Sequence, residues 1–414
     1  MQDQKQMPRI TQQITADRAD SSESRRSFLN RTGIAGAALT LSPWLVGSRS
    51  AVAAETTSSS QIVHTQEPLN SEPRPGDLVQ SWITPVESFY VRSHAPNPKI
   101  DPANFRLTVE GLVNKPMSIS LAELNSKFDE TSVVTTMTCA GNRRSEHSLV
   151  KPVGGVPWQA GAIGNAKWSG IRLSDLLKKV HPKENASHVW FEGLDEIPKD
   201  DGTIPFGASI PISKAMSDTT AIPGALLTTK MNDQPLTADH GAPLRGVVPG
   251  YIGARSVKWL GRIVVSDRPS LNHYVASAYK LVRDGSPIEW DEAGPIYRFP
   301  LNSVICTPAP GDKLTSGQVT VAGYALPSGL KGAMISRVEV SADEGRNWTT
   351  AKITSPLREH CWVLWKADVK LPATASDLIV RATDSSGEFQ PEHAPWNLKG
   401  YMFNGWHHVP VQAG

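Results

Sequence analysis

After residue 77, the hydrophobic pattern of the chain alternates between short β-branched runs and short helical segments. Residues 133–138 (VVTTMT) form a β-branched run, which predicts a buried strand that ends directly before Cys139. Residues 173–180 carry aliphatic side chains at i, i+3, i+4 and i+7, the spacing of one face of a short helix. The following His181-Pro182 pair is expected to end that helix. This mixture predicts a domain of mixed α+β structure over residues 77–302.

From residue 303 the pattern changes to short strands separated by turns. Residues 335–341 (ISRVEVS) alternate with period two and lead into an Asp-Glu-Gly turn. Similar strands are predicted at residues 319–324, 348–351, 361–365 and 378–383. Short strands with turns at regular spacing are typical of an all-β sandwich. Residues 303–414 are therefore predicted to form an immunoglobulin-like domain.

The first 76 residues have the pattern of a targeting signal and a linker. A polar stretch is followed by Arg25-Arg26, an apolar run at residues 34–46, and the small residues 51–54 (AVAA). A charged start, an apolar middle and an A-x-A end define a secretory signal, and the paired arginines indicate the twin-arginine route. We therefore predict a signal peptide at residues 1–54, export to the periplasm, and a tether rich in Ser, Thr and Pro at residues 55–76. An uncleaved membrane anchor is the alternative.

Composition excludes several classes of function. The chain of 414 residues carries 42 Lys and Arg against 40 Asp and Glu, a formal net charge of +2, which provides no electrostatic footprint for nucleic acid. No segment after the signal has 18 consecutive apolar residues, so no membrane span is expected in the mature protein. The three cysteines form neither a Cys-x-x-Cys nor a Cys-x-x-Cys-His motif, which argues against thiol-redox chemistry and c-type haem attachment.

The strongest candidate for chemistry is the segment 138–145 (TCAGNRRS), which places Cys139 beside Arg143 and Arg144. Nearby cations lower the pKa of a thiol and favour the thiolate, which is the form that binds soft metals. From the residues alone, three interpretations are open: a metal ligand, a nucleophilic cysteine whose base lies elsewhere, and a buried structural cysteine followed by surface arginines.

Residues 138–146 (TCAGNRRSE) resemble the Cys-Ala-Gly-Asn-Arg-Arg-Ser-Glu motif of the sulfite oxidase family. The resemblance extends from about Trp82 to Val409. The other matching stretches are ITP (83–85), YVRSH (90–94), GAI (161–163), FEGLD (191–195), GASIP (207–211), DHG (239–241), VPG (248–250), GARSVKWLG (253–261), WNLKG (396–400) and NGWH (404–407). Together these motifs are highly specific.

The resemblance implies a molybdenum cofactor, in which the dithiolene of a pyranopterin (molybdopterin), two oxygens and one protein thiolate hold the metal. Cys139 matches that thiolate. The positions of the family's substrate pocket carry Arg92, Arg144, Trp158 and Tyr279. Arginine forks suit oxyanions, and tyrosine can donate a hydrogen bond and move a proton. The positions of the family's pterin and phosphate contacts carry Tyr90, His94, Asp195, His240, Arg245, Arg255, Ser256 and Lys258.

Two positions depart from the family pattern. Val363 stands where the animal enzymes have a further pocket arginine, and Gly154 stands where they have a lysine. The pocket is therefore expected to be less cationic. The animal relatives also carry a haem domain. No haem is expected in this chain, so its electrons are expected to pass to a separate acceptor.

The predicted function is periplasmic, molybdenum-dependent oxidation of sulfite to sulfate, with electrons passed to an external c-type cytochrome. One alternative is another oxo-transfer reaction on the same fold, such as sulfane oxidation or nitrate reduction. A different alternative is a non-catalytic periplasmic binding protein built on the sandwich of residues 303–414. By analogy with the family, a homodimer is expected to form largely through this domain. The sequence predicts no residue of the substrate pocket in this domain, which favours a role as an interface.

Overall fold

A computed structural model describes residues 61–219, 222–373 and 377–413. The predicted signal peptide, residues 1–54, lies outside these ranges. None of the helices within them has the length and apolar character that crossing a lipid bilayer demands.

Strands and short helices alternate through the first part of the chain, which confirms the mixed α+β prediction. The strands are β1 (Gln61–Thr65), β2 (Asn70–Pro73), β3 (Val91–Arg92), β4 (Arg106–Gly111), β5 (Met117–Ser120), β6 (Thr131–Thr138), β7 (Ile163–Arg172), β8 (His188–Gly193), β9 (Ile197–Lys199), β10 (Gly202–Ile204), β11 (Gly207–Pro211), β12 (Leu226–Met231), β13 (Gln234–Pro235), β14 (Arg245–Val247) and β15 (Leu260–Ser266). The helices are α1 (Pro75–Leu78), α2 (Leu121–Lys127), α3 (Arg144–Val150), α4 (Leu173–Val180), α5 (Ile212–Ala215), α6 (His273–Ala276) and α7 (Pro287–Glu292), with single 3-10 turns at Val86–Ser88 and Gly253–Arg255.

Two sheets form the body of this domain. One has the strand order β11-β8-β15-β4-β5, and the other has the order β13-β12-β7-β6, with β14 paired to β12. The predicted amphipathic helix is α4. Its four aliphatic side chains are fully buried and share one core with Val189 of β8 and Ile263 of β15. The period of 3.6 in the sequence therefore identifies the buried face of the helix.

The strand that precedes Cys139 is β6, as predicted. It pairs antiparallel with β7 along its whole length, from Thr131↔Gly170 to Thr138↔Ile163. The pairing continues one residue further, because the backbone N–H of Cys139 donates to the carbonyl of Ala162 at 2.9 Å. The candidate metal ligand is thus fixed at the end of a paired strand.

The prediction of a tether is wrong for residues 61–73. β1 and β2 form an antiparallel hairpin, β2 pairs with β3, and Asn70, Ser71 and Glu72 are at most 2% exposed. The polar composition is misleading because these side chains are buried as hydrogen-bonding groups. The Glu72 carboxylate, for example, accepts the backbone N–H groups of Gln159 (2.7 Å) and Gly161 (2.8 Å). The hairpin therefore belongs to the folded domain.

The C-terminal part is the predicted β-sandwich. Its strands are β16 (Asn302–Thr307), β17 (Lys313–Leu314), β18 (Gly317–Leu326), β19 (Ile335–Ser341), β20 (Thr349–Thr350), β21 (Lys352–Ile353), β22 (Val363–Leu371), β23 (Asp377–Asp384), β24 (His407–Pro410) and β25 (Gln412–Ala413). The order β16-β18-β22-β21 makes one sheet and β20-β19-β23-β24 the other. Val338, Trp365 and Val380 belong to the core between them.

The strand predicted at residues 361–365 begins later, at Val363. The two residues before it contact the α+β domain instead: Cys361 Sγ donates to the carbonyl of Val134 (3.1 Å), and the N–H of Trp362 donates to Oγ1 of Thr136 (2.8 Å). All three cysteines are free and buried. Burial raises the pKa of the Cys361 thiol to about 12, which supports a packing role for this residue.

Candidate functional site

One cleft brings together most of the side chains predicted to contact cofactor or substrate. It comprises about 660 Å³ of empty space, including space open to solvent, and lies beside the end of β3, the end of β6 and the turn that follows Gly253. The predicted residues in its wall are Tyr90, Arg92, His94, Cys139, Asp195, His240, Arg245, Ser256, Lys258 and Tyr279. Arg144, Trp158 and Arg255 are not part of this wall.

Cys139 is held at the cleft by a tight turn. The residue is 8% exposed, and its Sγ accepts the N–H of Gly141 at 3.4 Å. Asn142 closes the turn, since its Oδ1 accepts the N–H of Ala162 (3.0 Å) and its Nδ2 donates to the hydroxyl of Tyr324 (3.1 Å). A thiol whose neighbours are fixed in this way is preorganised to bind a metal.

The two arginines that follow Cys139 do not supply the positive charge of the cleft. Arg143 has a left-handed backbone, with φ of 64°, and its guanidinium pairs with Glu146 at 2.6 and 2.7 Å. Arg144 donates to backbone carbonyls outside the cleft wall. The cations that share the cleft with Cys139 are Arg92, Arg245 and Lys258.

Two of these cations are strongly desolvated. Burial, together with the nearby Arg245, lowers the pKa of Lys258 to about 7, although its Nζ donates to Oγ of Ser93 (2.7 Å) and to the carbonyl of Asp239 (2.9 Å). Burial lowers the pKa of Arg245 to about 10, and its buried Nε has no hydrogen-bond partner among the residues that the structure describes. An anion placed between these groups would stabilise their charged forms.

The backbone carbonyls of His240 and Ser256 hold the guanidinium of Arg245 in place. Nη1 of Arg245 donates to the carbonyl of His240 (2.9 Å), and Nη2 donates to the carbonyl of Ser256 (3.2 Å). Burial lowers the pKa of His240 to about 4, so the imidazole is neutral at pH 7. Its Nε2 then donates to the carbonyl of Val86 at 3.1 Å.

Tyr279 and His94 form a phenol–imidazole pair. The Tyr279 hydroxyl lies 3.3 Å from Nε2 of His94. Burial raises the pKa of Tyr279, and burial beside Arg92 holds the pKa of His94 well below its usual range. At pH 7 the phenol is therefore protonated and the imidazole is neutral, so Tyr279 has a proton to donate and His94 can accept one.

Asp195 and Tyr90 complete the wall. Oδ1 of Asp195 accepts the N–H of Phe206 at 3.0 Å, and burial raises the pKa of this carboxyl. Burial also raises the pKa of Tyr90, whose ring stacks on Phe89 with a centroid distance of 5.3 Å. Both residues thus place a polar group in a buried setting, as ligand pockets commonly do.

Comparison with known proteins agrees with this geometry. Residues 94–274 match the model of the oxidoreductase molybdopterin binding domain, and residues 293–414 match that of the Mo-co oxidoreductase dimerisation domain. Sulfite oxidase of Gallus gallus is 41% identical over 358 residues, which cover 83% of this chain and 76% of the relative. Sulfite oxidase of Arabidopsis thaliana is 37% identical, with 85% and 94% covered.

This chain belongs to the sulfite oxidase family. It spans 65% of the length of the mammalian mitochondrial sulfite oxidases that it matches. Among solved structures, the sulfane dehydrogenase SoxCD of Paracoccus pantotrophus has a TM-score of 0.72 and 26% identity, with 90% of this chain and 95% of that chain covered. Membership of this family makes the chain a molybdenum oxidoreductase, so the alternative of a non-catalytic binding protein is wrong.

The residues present fit the family's molybdopterin cofactor. Cys139 contributes a soft sulfur donor to the cleft, the unpartnered Nε of Arg245 points to a missing acceptor, and the lowered pKa of Lys258 is that of a desolvated cation beside another cation. A sulfur-ligated metal group that carries a phosphate matches these three features. Within the described ranges, no three His, Cys, Asp or Glu side chains come together in a way that would hold a metal ion.

The predicted residues that do not line the cleft lie in a second layer. Nη1 of Arg144 donates to the carbonyl of Val156 (2.7 Å) and its Nε to that of Lys399 (2.9 Å). Trp158 is fully buried. Arg255 is also fully buried, and its Nε donates to the carbonyl of Ile296 (2.8 Å). The resemblance to the family predicts where these residues stand in the sequence, but it does not predict whether they line the cleft or pack behind its wall.

Neither departure from the family pattern lies in the cleft wall. Val363 is 1% exposed and packs in the core of the sandwich. Gly154 is exposed, and apart from its two chain neighbours no residue that the structure describes comes within 4 Å of the place where its Cβ would be. The cations in the cleft wall of this chain are Arg92, Arg245 and Lys258.

Sequence analysis missed Tyr401, which brings the sandwich domain to the site. Its ring stacks on Tyr279 with centroids 5.1 Å apart and an interplanar angle of 18°, and the guanidinium of Arg144 lies 5.2 Å from the centroid of the same ring. Tyr401 directly follows the matching stretch 396–400, which was the available signal. Tyr401 is not in the cleft wall itself, but it contacts Tyr279, which is.

Proposed function

We propose that this oxidoreductase oxidises sulfite to sulfate in the periplasm and passes the electrons to an external c-type cytochrome. The observation that carries the proposal is one cleft that joins a fixed thiol, Cys139, to the arginine Arg92 and the protonated phenol of Tyr279. Sulfite is a small oxyanion, and this set of groups suits it. The likeness to sulfite oxidases over most of the chain supports the substrate.

The cofactor would be held by residues of two kinds. Cys139 would be the protein's own ligand to molybdenum, and Arg245, Lys258, His240 and Ser256 would bind the anionic and polar parts of the pterin. When bound, the group supplies two-electron oxo-transfer chemistry. Arg255 is buried, and its Nε and Nη1 donate to the carbonyls of Ile296 and Tyr274, which supports a role in shaping the cleft from behind.

The chain's own residues prepare the substrate end. Arg92 attracts the anion and orients its oxygens through guanidinium donors. Tyr279 donates a hydrogen bond to an oxygen of the anion, and His94, 3.3 Å away, can take up or return a proton at Nε2. Phe206 stacks on His94 at 4.9 Å and helps to exclude water. Dry surroundings strengthen each of these electrostatic contacts.

The central test combines metal analysis with turnover. Protein purified from cells that make the cofactor is expected to contain molybdenum in a ratio near one per chain and to reduce cytochrome c only when sulfite is added. A protein that holds molybdenum but does not oxidise sulfite would overturn the substrate and leave the family assignment in place.

Sulfane oxidation is the second candidate, favoured by the likeness to the sulfane dehydrogenase SoxCD. The same purified protein should be assayed with sulfite, with a protein-bound persulfide and, in the reductive direction, with nitrate. We expect the highest kcat/KM for sulfite, because the cleft wall combines Arg92 and Tyr279 for a small oxyanion. A persulfide preference of tenfold or more would favour the second candidate.

Arg92→Gln is expected to raise the KM for sulfite and to lower kcat/KM by about one to two decades. A charge-assisted contact is worth roughly 1.5–3 kcal/mol, and molybdenum content should change little because Cys139 and Lys258 remain. Steady-state kinetics at several ionic strengths measure the effect. Arg268→Gln, at an exposed arginine, is the control for charge alone. An unchanged KM in the Arg92 variant would remove this residue from the anion site.

Export is proposed to follow the twin-arginine route, for which Arg25-Arg26, the apolar run at 34–46 and the A-x-A site are the support. Replacement of both arginines by lysine should leave the precursor in the cytoplasm. Fractionation with immunoblotting measures the distribution, and the single Arg18→Lys variant, outside the pair, is the control. Processed protein outside the cytoplasm at normal levels in the double variant would exclude this route.

A homodimer formed largely through residues 303–414 is also proposed, supported by the match to a dimerisation domain. A stable symmetric interface buries about 800 Å² or more on each partner. Light scattering of the mature protein at micromolar concentration should give twice the chain mass. The mass of a single chain across the accessible concentration range would contradict this expectation.

A further inference from the structure

Asn70 lies in the β1–β2 hairpin and is 2% exposed. Its Oδ1 accepts hydrogen bonds from Nη1 of Arg92 (3.0 Å) and from the backbone N–H of Ser93 (3.1 Å). Its Nδ2 donates to Oγ1 of Thr65 (2.7 Å) and to the carbonyl of Pro68 (2.9 Å). Because both ends of the amide have two partners of the appropriate kind, its orientation is determined.

The guanidinium of Arg92 is thereby divided into a fixed side and a free side. Nη1 donates to Asn70 Oδ1 and to the carbonyl of Ser93. In the part of the chain that the structure describes, no protein group accepts a hydrogen bond from Nε or Nη2 of Arg92. An arginine that is anchored through one nitrogen keeps its other donors for an oxyanion.

The chemistry of the anchor matters as much as its position. An amide oxygen fixes the guanidinium but leaves its positive charge uncompensated. A carboxylate in the same place would pair with Arg92 and weaken its attraction for an anionic ligand, because the two opposite charges would be about 3 Å apart. A neutral anchor is thus the one that suits an anion site.

The same amide also orders the residue that links Arg92 to Lys258. Ser93 donates its backbone N–H to Asn70, and its Oγ accepts from Nζ of Lys258 at 2.7 Å. The register of β2 and β3, in which Asn70 faces Arg92, fixes this arrangement through the backbone. Asn70 of the hairpin therefore contacts both Arg92 and the serine that accepts from Lys258.

We propose that Asn70 is a positioning residue of the oxyanion site, which fixes Arg92 through a neutral acceptor and so leaves its charge available for the substrate. The hairpin of residues 61–73 is then a part of the active site. This inference rests on the proposed function, since it requires Arg92 to bind the substrate anion.

The test compares Asn70→Ala, Asn70→Asp, Arg92→Gln and the double variant Asn70→Ala/Arg92→Gln in the molybdenum-loaded protein. Direct sulfate binding is measured by calorimetry, beside the KM and kcat for sulfite, the molybdenum content and the melting temperature. Thr65→Val is the matched control, because it removes an acceptor of Nδ2 but leaves the contact between Oδ1 and Arg92.

Asn70→Ala should raise the Kd for sulfate and the KM for sulfite about three- to tenfold, and Asn70→Asp should raise them further. kcat, molybdenum content and the Thr65→Val variant should stay near wild type. The double variant should bind sulfate no more weakly than Arg92→Gln alone, because Asn70 acts through Arg92.

Two failures can be told apart. Normal sulfate binding by Arg92→Gln would overturn the role of Arg92 in the proposed function. The role of Asn70 alone would be overturned by weak sulfate binding in Arg92→Gln together with normal binding in both Asn70 variants. It would also be overturned if the losses of sulfate affinity in the two single variants added up in the double variant. Where Asn70→Asp does not accumulate, the alanine variant and the double variant decide the question.

Discussion

Replacement of Cys139 by serine is expected to abolish turnover and to leave the fold in place. A hydroxyl cannot supply the soft sulfur donor or its charge donation to molybdenum. The loss should reach about three decades or more in kcat, the scale of removing a group that acts directly in the reaction. The measurement is sulfite-dependent cytochrome c reduction, with molybdenum content determined on the same sample.

The fold should survive because the thiol makes few contacts that serine cannot replace. Sγ of Cys139 accepts one long hydrogen bond, from Gly141 at 3.4 Å, and a serine oxygen can accept from the same N–H. Cys361→Ser is the matched control: this buried thiol donates to the carbonyl of Val134, which a hydroxyl can also do. Oxidation of sulfite by the Cys139 variant at a rate near wild type would show that the metal-ligand assignment is wrong.

Periodic patterns in the sequence predicted those elements of the fold that are determined by residues close together in the chain. α4 was predictable because a helix that buries one face must place aliphatic residues on that face, and β6 because a β-branched run favours a buried strand. The position of Cys139 followed from both the strand and its motif. These features depend on neighbours within a few residues, which the sequence displays directly.

The rest depends on contacts between distant segments. The hairpin of residues 61–73 has the composition of a linker, yet Asn70 bonds to Arg92, 22 residues away, and Glu72 bonds to Gly161, 89 residues away. No local pattern marks a polar side chain as one that will be buried with partners. Tyr401 was missed for the same reason, since its stacking on Tyr279 joins two domains.

In cofactor-free protein, Lys258 is expected to make stability rise with pH between about 7 and 10. The pKa of this lysine is about 7 in the folded protein and near 10.4 in an unfolded chain. Between these values the unfolded chain binds one more proton than the folded protein, so the free energy of unfolding increases with pH. The increase should total roughly 3–5 kcal/mol, at 1.36 kcal/mol for each unit of pKa difference. Below pH 7 the buried Lys258 is protonated in the folded protein, and its desolvation then destabilises the fold by the full amount.

The measurement is the free energy of unfolding of cofactor-free wild type and Lys258→Met, by denaturant titration at pH 7.0 and 9.5. Groups common to both proteins cancel in the difference, so methionine should stabilise the protein at pH 7.0 and lose most of that advantage at pH 9.5. Lys183→Met, at an exposed lysine, is the control and should differ from wild type equally at both values. A Lys258 difference that does not change with pH would contradict the desolvated state of this lysine.

Bound cofactor should cancel the rise of stability with pH that Lys258 causes, which connects this lysine to the proposed assembly of the enzyme. An anionic group bound in the cleft stabilises the ammonium form of Lys258 and raises its pKa. Binding above pH 7 is then accompanied by uptake of a proton, so loaded protein should gain more stability over cofactor-free protein at pH 7.0 than at pH 9.5. In Lys258→Met, the stability that the cofactor adds should no longer depend on pH, because the proton taken up on binding is the one that Lys258 would carry.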